Sequence, residues 1–449
     1  MRAIRFSIPR GRDNTSPDGA EGHPIARRGL AAAPLAACVV LMLLGCAHPT
    51  WSTIAATAGD DFVPAADAES SRAPSGAPDY AALTPGLSRF GYDLLRIRAE
   101  AMADENILVS PTSLGTAFAL LGEGAGGDTR SAIAEALGMP SGTTMAQVGG
   151  LREALSNLPV DVSFGMANGV WVAKDLPLRD AYPAAARKDF GAEVAAVDFN
   201  LPSTRPDINT WFSSATRGLI KEMFTDLPAQ TRIVLGNALY FKAAWASPFD
   251  PGLTRAGAFQ SPAGPVQVPM MSQSFTRMGY MDGGEWHAVR VPFAHGHHEM
   301  VLVLPKQGTD AAGLIPCKDC ASGPPKWTRP SGWATTRIDL TMPRFQLSAG
   351  GDMIDLLRGT VMAPALKRGA DYGALAEEPI EIAMVVHRVT FSVDERGAEA
   401  AAATGIAGTR SMQGPPVAFT VDRPFLALIR HVPTDAVLVA GLVRNPTGG

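Results

Sequence analysis

The thiols of Cys317 and Cys320, which form the motif CKDC, are residue types that can do redox chemistry or bind a metal. A CxxC pair in a cytosolic βαβ setting indicates redox chemistry, and two such pairs can hold a zinc ion. Here one pair stands alone among glycines and prolines, in IPCKDCASGPP. This context favours a local disulfide or a weak metal pair. An exported enzyme that uses these thiols is kept as a remote alternative function.

Two further patterns resemble ligand sites. His295, His297 and His298 lie between the strand-like runs VRVPF and MVLVLP, so the pattern predicts an exposed hairpin loop in preference to a metal site. The letters GEGAGG at 122–127 follow a helical run rather than a strand, which predicts a helix-ending turn and not a phosphate-binding loop. The sequence contains neither GxSxG nor HExxH, although a Ser-His-Asp set, which is defined by geometry, stays open. We expect no enzyme activity, no cofactor and no metal.

The segment from Val393 to Gly414, VDERGAEAAAATGIAGTRSMQG, consists largely of very small side chains. It follows the strand-like alternation MVVHRVTFSV. If the segment becomes a strand, alternate residues share one face. That face carries Ala398, Ala400, Ala402, Thr404 and Ile406. Side chains this slim can slip between elements that are already packed, whereas the glycines disfavour a stable helix. We interpret the segment as one that moves or is cleaved.

Composition limits the class of protein. The chain of 449 residues is long enough for one large domain or for two to three ordinary ones, and 46% of its residues are apolar. Without residues 1–45 it holds 33 basic and 40 acidic side chains, a net charge of −7. This mildly acidic body argues against nucleic acid as a partner, because nucleic acid requires a basic face.

Residues 1–45 are interpreted as a lipoprotein signal peptide. Arg27 and Arg28 precede a 17-residue apolar run, GLAAAPLAACVVLMLLG, which is shorter than a typical membrane span. Its end, LLGC, resembles the lipobox of bacterial lipoproteins, in which the cysteine, here Cys46, carries the lipid. This resemblance implies an exported lipoprotein on the extracellular or periplasmic side of the cell envelope. The alternatives are an uncleaved anchor and plain secretion.

One domain is expected over residues 80–446. Residues 46–79 are rich in Ala, Pro, Ser, Gly and Asp and are interpreted as a flexible tether. Beyond them, helical spacing of apolar residues comes first and strand-like alternation later. This order predicts an α+β fold in which helices pack on a large, mostly antiparallel sheet.

Several motifs, taken in order, resemble the serpins, a family of serine-protease inhibitors. They are ILVSPTSLGTAFALLGEGAGGDT, DINTWFSSATRGLI, NALYFKAAWASPF, VHRVTFSVDERG, the small-residue hinge VDERGAEAAAATG and DRPFLALIRHVPTDAVLVAGLVRNP. The resemblance covers essentially all of 85–446, although CKDCASGPPKWTRPSGW departs from the family pattern. It implies the serpin fold, with a C-terminal β-barrel-like region and an exposed reactive-centre loop at about 395–415.

The resemblance also implies roles for individual residues. The hinge that moves corresponds to Glu395, Gly397, Ala398, Ala400, Ala402 and Thr404. A polar cluster beneath the centre of the sheet, the shutter, corresponds to Ser110, Ser113, Asn237 and His387. The breach, where the loop enters the sheet, contains Trp245 and Arg344, and Arg344 pairs with Glu395.

The implied function is inhibition of a serine endopeptidase by a suicide substrate, which traps the acylated protease when the cleaved loop inserts into the sheet. A count of seventeen residues from Glu395 places the cleaved bond between Ser411 and Met412, which suits an elastase- or subtilisin-like protease. Cleavage between Arg410 and Ser411 suits a trypsin-like protease instead. The main alternative is a non-inhibitory serpin, acting as a surface binding or structural protein. We expect a monomer in either case.

Overall fold

The computed structural model describes residues 80–156, 162–316, 326–329, 331–397 and 415–448. Several predicted site residues lie outside these ranges: Cys46, Cys317, Cys320, Ala398, Ala400, Ala402, Thr404, Arg410, Ser411 and Met412. The helices of the described part are α1 Tyr80–Ala101, α2 Pro111–Glu123, α3 Gly127–Ala136, α4 Met145–Ser156, α5 Ala181–Phe190, α6 Thr204–Ala215, α7 Ile354–Arg358 and α8 Ala363–Leu366.

The strands of the described part form two sheets. They are β1 Ile107–Val109, β2 Val162–Ala173, β3 Glu193–Val197, β4 Ile233–Ala243, β5 Arg255–Ser261, β6 Gly264–Asp282, β7 Trp286–Pro292, β8 His298–Pro305, β9 Ala334–Pro343, β10 Phe345–Asp352, β11 Met384–Val393, β12 Val417–Thr420, β13 Phe425–His431 and β14 Ala436–Val443.

Local sequence explains where several helices begin and end. The hydroxyl of Ser110 accepts a hydrogen bond from the amide of Ser113 at 3.2 Å, and Pro111 occupies the first turn of α2, where its missing N–H is harmless. Helix α5 ends at Gly191, whose φ of 58° is the left-handed conformation that closes many helices.

The smaller sheet has five strands in the order β10-β11-β4-β2-β3. The β10–β11 and β4–β2 pairs are antiparallel, but β11–β4 and β2–β3 are parallel. The expectation of a mostly antiparallel central sheet is therefore wrong for this sheet, which is mixed. Its parallel partners are far apart in the sequence, and long connections of this kind are what parallel pairing requires.

The larger sheet has nine strands in the order β1-β14-β13-β8-β7-β6-β9-β12, with β5 paired to β6. Its pairs are antiparallel except for β12–β9. In the described residues β1 and β12 do not pair with each other, so the expected barrel-like region is an open sheet and not a closed barrel.

Strand β4 is covered on both faces. Alternate residues divide between two cores: Leu235, Leu239 and Phe241 belong to the main core, whereas Val234 and Ala238 pack with the aromatic cluster under α6. Helix α2, buried along almost its whole length, lies against the main-core face. Within the described ranges, no helix has both the length and the apolar character needed to cross a bilayer.

Candidate functional site

Strands β4 and β11 are parallel neighbours at the middle of the five-stranded sheet. They pair in register from Met384–Val234 to Phe391–Phe241, and we call this pairing the seam. A strand that enters the seam in the opposite direction is antiparallel to both neighbours and bonds to both of their edges. The chain that leaves β11 needs only to reverse its direction to run that way. The direction of the two seam strands is therefore compatible with one more strand between them.

The first residues after β11 are tied to the chain that follows β4. The amide of Trp245 donates a hydrogen bond to the carbonyl of Arg396 at 3.2 Å. The indole Nε1 of Trp245 donates to the carbonyl of Asp394 at 2.8 Å, and the indole itself is buried. These contacts hold residues 394–397 at the end of the seam where Phe391 pairs with Phe241, which we call the hinge end.

The Glu395 carboxylate lies in a small polar site formed with Thr254 and Arg344. Its Oε1 accepts a hydrogen bond from the Thr254 hydroxyl at 2.7 Å and lies 3.5 Å from Arg344 Nη1. Burial raises the pKa of this carboxyl, but the bonds from Thr254 and a backbone amide, together with Arg344, outweigh it and hold the pKa below its ordinary value. The Arg344 side chain is 50% exposed, so solvent screens the ion pair and its contribution to stability is modest.

Gly397 lies where two backbones approach closely. It has a φ of +90° and forms an isolated bridge with Ala244. A Cβ at this position would lie 2.3 Å from the carbonyl oxygen of Ala243 and 2.6 Å from the amide nitrogen of Trp245. Backbone atoms cannot turn aside as a flexible side chain can. The observed conformation of the hinge therefore requires glycine here.

The four predicted shutter residues are brought together, fully buried, under the seam. The side-chain Nδ2 of Asn237 donates to the Ser113 hydroxyl at 2.7 Å and to the Ser113 carbonyl at 3.1 Å. Asn237 Oδ1 lies 2.6 Å from His387 Nδ1, and the Ser110 amide donates to His387 Nε2 at 3.0 Å. Asn237 and His387 are also a register pair of β4 and β11, so their hydrogen bond crosses the seam. An inserted strand must break it.

The hydrogen bonds of His387 define its protonation state. Because Nε2 accepts from the Ser110 amide, the ring proton is on Nδ1, which donates to Asn237. Burial, and then the positive charge of Arg98, lower the pKa of His387 to about 3, and the bond to Asn237 only partly opposes them. The ring is therefore neutral near pH 7.

Two residues of the site are not among those predicted from the sequence. Asn168 of β2 faces Asn237 in register and accepts a hydrogen bond from its amide. The sequence does contain a signal for Asn168, because it is the single amide side chain in the apolar strand MANGVWVA. Thr254 gives no such signal, because only the fold brings it to Glu395.

The prediction of an exposed hairpin loop for the three clustered histidines is partly wrong. His295 and His297 are exposed between β7 and β8, but His298 is the first residue of β8 and is 1% exposed. The reason is its pairing with His431 of β13, which draws the start of β8 into the core. In the ranges that the structure describes, no three His, Cys, Asp or Glu residues are grouped so as to hold a metal ion.

Comparison with known proteins assigns this chain to one family. Residues 85–446 match the family model described as Serpin (serine protease inhibitor). The chain belongs to the serpins.

Individual relatives agree with this assignment. A serine protease inhibitor of Cyanea capillata is 31% identical over 361 residues, which cover 77% of this chain and 93% of the relative. The leukocyte elastase inhibitor of Bos taurus is 28% identical over 375 residues, 81% of this chain and 99% of the relative. Among solved structures, human thyroxine-binding globulin in complex with thyroxine has a TM-score of 0.72 at 26% identity, covering 82% of this chain and 100% of that one.

Proposed function

We propose that this serpin inhibits serine endopeptidases as a suicide substrate and is not itself an enzyme. The observation that carries the proposal is the seam, in which β4 and β11 are paired directly and in parallel. The chain that leaves β11 reaches Gly397 after three residues and then continues into a run rich in alanine. A chain that reverses after Gly397 fits the seam in direction, and its side chains are small enough to enter a packed sheet.

Insertion of the loop would release enough free energy to drive trapping. About fifteen residues that each gain a net 0.5–1.5 kcal/mol from a hydrogen bond would release on the order of 10–20 kcal/mol. The Asn237–His387 bond crosses the seam and must break first. This bond contributes to a kinetic barrier that keeps the uncleaved protein in its metastable, active form.

The proposed reaction begins as ordinary proteolysis. The protease serine attacks the carbonyl carbon of Ser411, forms an ester with it, and the amide nitrogen of Met412 leaves with a proton. The freed segment then enters the seam and carries the attached protease along, which distorts the protease active site before water can hydrolyse the ester. Attack at Arg410 is the alternative, and it would direct the inhibitor to trypsin-like rather than elastase- or subtilisin-like proteases.

Incubation of the purified protein with trypsin, elastase and subtilisin tests the proposal. We expect a covalent complex of inhibitor and protease that survives denaturing electrophoresis with at least one of them. Mass spectrometry of the released C-terminal fragment locates the bond, because the fragment begins at Met412 or at Ser411. Cleavage by all three proteases without any complex would refute the proposal.

The Ala398→Arg variant tests the hinge, with Ala398→Ser as its matched control. Insertion would bury the arginine in a packed sheet, where an unpaired charge is costly, so we expect Ala398→Arg to be cleaved as a substrate with trapping reduced by about tenfold or more. The small serine should leave trapping intact. Full trapping by Ala398→Arg would show that residue 398 does not enter the sheet.

A second candidate function, non-inhibitory ligand binding, is favoured by one cavity. It measures about 410 Å³, lies between α1 and strands β8, β13 and β14, and is lined in part by Arg89, Tyr92 and Trp327. The buried indole Nε1 of Trp327 has no hydrogen-bond partner in the described residues, so a ligand acceptor could bind it. Human thyroxine-binding globulin shows that a protein of similar fold can bind a small molecule. Cleavage without trapping, together with binding of a small amphipathic acid that Trp327→Phe weakens, would favour this function.

We also propose that the protein is exported and attached to the cell envelope by a lipid on Cys46, with residues 46–79 as a tether. The support is the 17-residue apolar run that ends in LLGC, followed by a segment rich in Ala, Pro and Ser.

A further inference from the structure

His298 lies directly behind the hinge end of the seam. Its ring centroid is 5.2 Å from that of Phe241 in β4 and 5.0 Å from that of His431 in β13. Phe241 is paired in register with Phe391, and this is the last pair of the seam before the hinge. His298 therefore supports one half of the pair that must separate first when a strand enters.

A continuous row of rings links His298 to the hinge. The ring of Phe241 is 5.2 Å from that of Phe293, which stacks on Trp245 at 4.4 Å and an interplanar angle of 8°. The indole of Trp245 donates to the carbonyl of Asp394. Protein interiors are closely packed, so a displacement of His298 is felt at Phe241 and beyond.

The surroundings of His298 suit an uncharged ring only. The side chain is 1% exposed, and in the part of the chain that the structure describes neither ring nitrogen has a hydrogen-bond partner. Burial, followed by the charges of His431 and His297, lowers the pKa of His298 to about 3. Burial and His297 likewise lower the pKa of His431 to about 4, and its Nδ1 lies 2.8 Å from the Thr434 hydroxyl.

The other charged groups of these strands are held away from the two histidines. Glu299 and Arg430 are their chain neighbours and so point to the opposite face of β8 and β13. There Arg430 binds both Glu299 and Asp435, and Arg290 of β7 lies 3.3 Å from Glu299. On β4, Tyr240 and Lys242 flank Phe241 and point away from His298 for the same reason. A proton on His298 would therefore gain no counter-ion from these groups.

We propose that uncharged His298 is a positioning residue for trapping: through Phe241 it keeps the hinge end of the seam closed until the loop is cleaved. Acid weakens this support, so the seam of the uncleaved protein opens more often and its inhibitory activity falls. The consequence for inhibition rests on the function proposed above, whereas the closure of the seam rests on the geometry alone.

The direction of the pH effect follows from linkage. A solvated imidazole has a pKa near 6.5, and His298 binds its proton far less readily in the closed seam. The closed form therefore has its full stability above about pH 6.5 and loses stability as the pH falls below that value. At pH 5.5, one imidazole that becomes solvated on opening lowers the closed-to-open ratio by about tenfold.

Hydrogen exchange of the seam amides, residues 234–241 and 384–391, tests this role in the full-length protein. Protection is measured at pH 7.5 and pH 5.5, corrected for intrinsic exchange rates, in the wild type and in His298→Phe. We expect the loss of protection in acid to be about tenfold larger in the wild type. His387 also titrates on opening, but equally in both proteins. His295→Asn, a change at an exposed histidine of the same turn, should keep the wild-type response.

The comparison of the wild type with His298→Phe separates a pH-dependent positioning role of His298 from a role in packing alone. Equal pH responses in the wild type and His298→Phe would overturn the proposal, as would a wild-type seam whose protection does not fall in acid. His298→Leu replaces His298→Phe if the larger ring prevents folding. Exchange needs no protease, so a protein that never traps a protease would refute the proposed function while the exchange data still decide the role of His298.

Discussion

At Gly397 the hinge passes close to another backbone, and the need for glycine there belongs to the uncleaved form. The carbonyl of Ala243 and the amide of Trp245 leave no room for a Cβ. If the segment moves into the seam as proposed, that contact would be lost, and alanine is tolerated in a strand. Substitution here should therefore destabilise the form before cleavage more than the form after it.

Gly397→Ala should lower the free energy of unfolding of the uncleaved protein by about 1–3 kcal/mol, because it adds both backbone strain and a close contact. Gly284→Ala is the matched control, since Gly284 has a φ of +89° but nothing within 4 Å of an added Cβ. Denaturant titration of both variants measures the difference. Equal losses would mean that the contact at Gly397 contributes nothing.

At the residue scale, sequence motifs predict side chains that lie in contact within one cluster. They do not predict side chains that only the folded chain brings to the site. Ser110, Asn237 and His387 were predicted as one cluster from their motifs, and the structure places them in contact. Thr254 could not be found in this way, because its contact with Glu395 depends on the distant chain that carries it. The burial of His298 depends on its register with β13, which local alternation does not reveal.

At the scale of elements, the seam explains why cleavage should stabilise the protein. In the uncleaved form β4 and β11 share one ladder of hydrogen bonds. An inserted strand replaces that ladder by two, and both are antiparallel, the pairing that is slightly more stable per residue. The five-stranded sheet would thereby become a six-stranded one.

The nicked protein should consequently melt at a much higher temperature than the intact one. If insertion releases on the order of 10 kcal/mol, the midpoint should rise by more than about 20 °C, because in a domain of this size each kcal/mol shifts it by roughly 2 °C. Calorimetry of the protein before and after limited proteolysis measures the shift. A nicked protein that melts no later than the intact one would rule out insertion.

Elements with strong periodicity can be predicted from the sequence, whereas the others cannot. Apolar residues keep helical spacing in the chain of α1, α2 and α3, and also through INTWFSSATRGLIKEMF at 208–224. Helix α6 nevertheless ends at Ala215, and the chain then turns through Arg217 with a φ of 53°. Helix α4 contains two adjacent glycines and α5 an internal proline, which weaken the helical signal. The parallel pairing of β4 with β11 is a non-local property that no local pattern encodes.

At the scale of the whole molecule, the proposed lipid anchor would keep the inhibitor at the surface of the cell. The tether of residues 46–79 would join the lipid to the domain, and its composition suits a flexible chain.

Replacement of Cys46 should release the protein from the membrane. We expect the wild type to partition into the detergent phase on Triton X-114 extraction and Cys46→Ser to lose that partitioning. Cys38→Ser, a change within the signal peptide, is the matched control and should partition as the wild type does. Membrane retention of Cys46→Ser would point instead to an uncleaved anchor.

If insertion occurs as proposed, the seam would accept a single strand, and this would set the capacity of the protein. Each copy would act once and could not be recycled, because a filled seam offers no vacant edge to a second loop. Protection of the cell would then scale with the number of copies at its surface rather than with a turnover rate. A rising protease load could be met only by new synthesis.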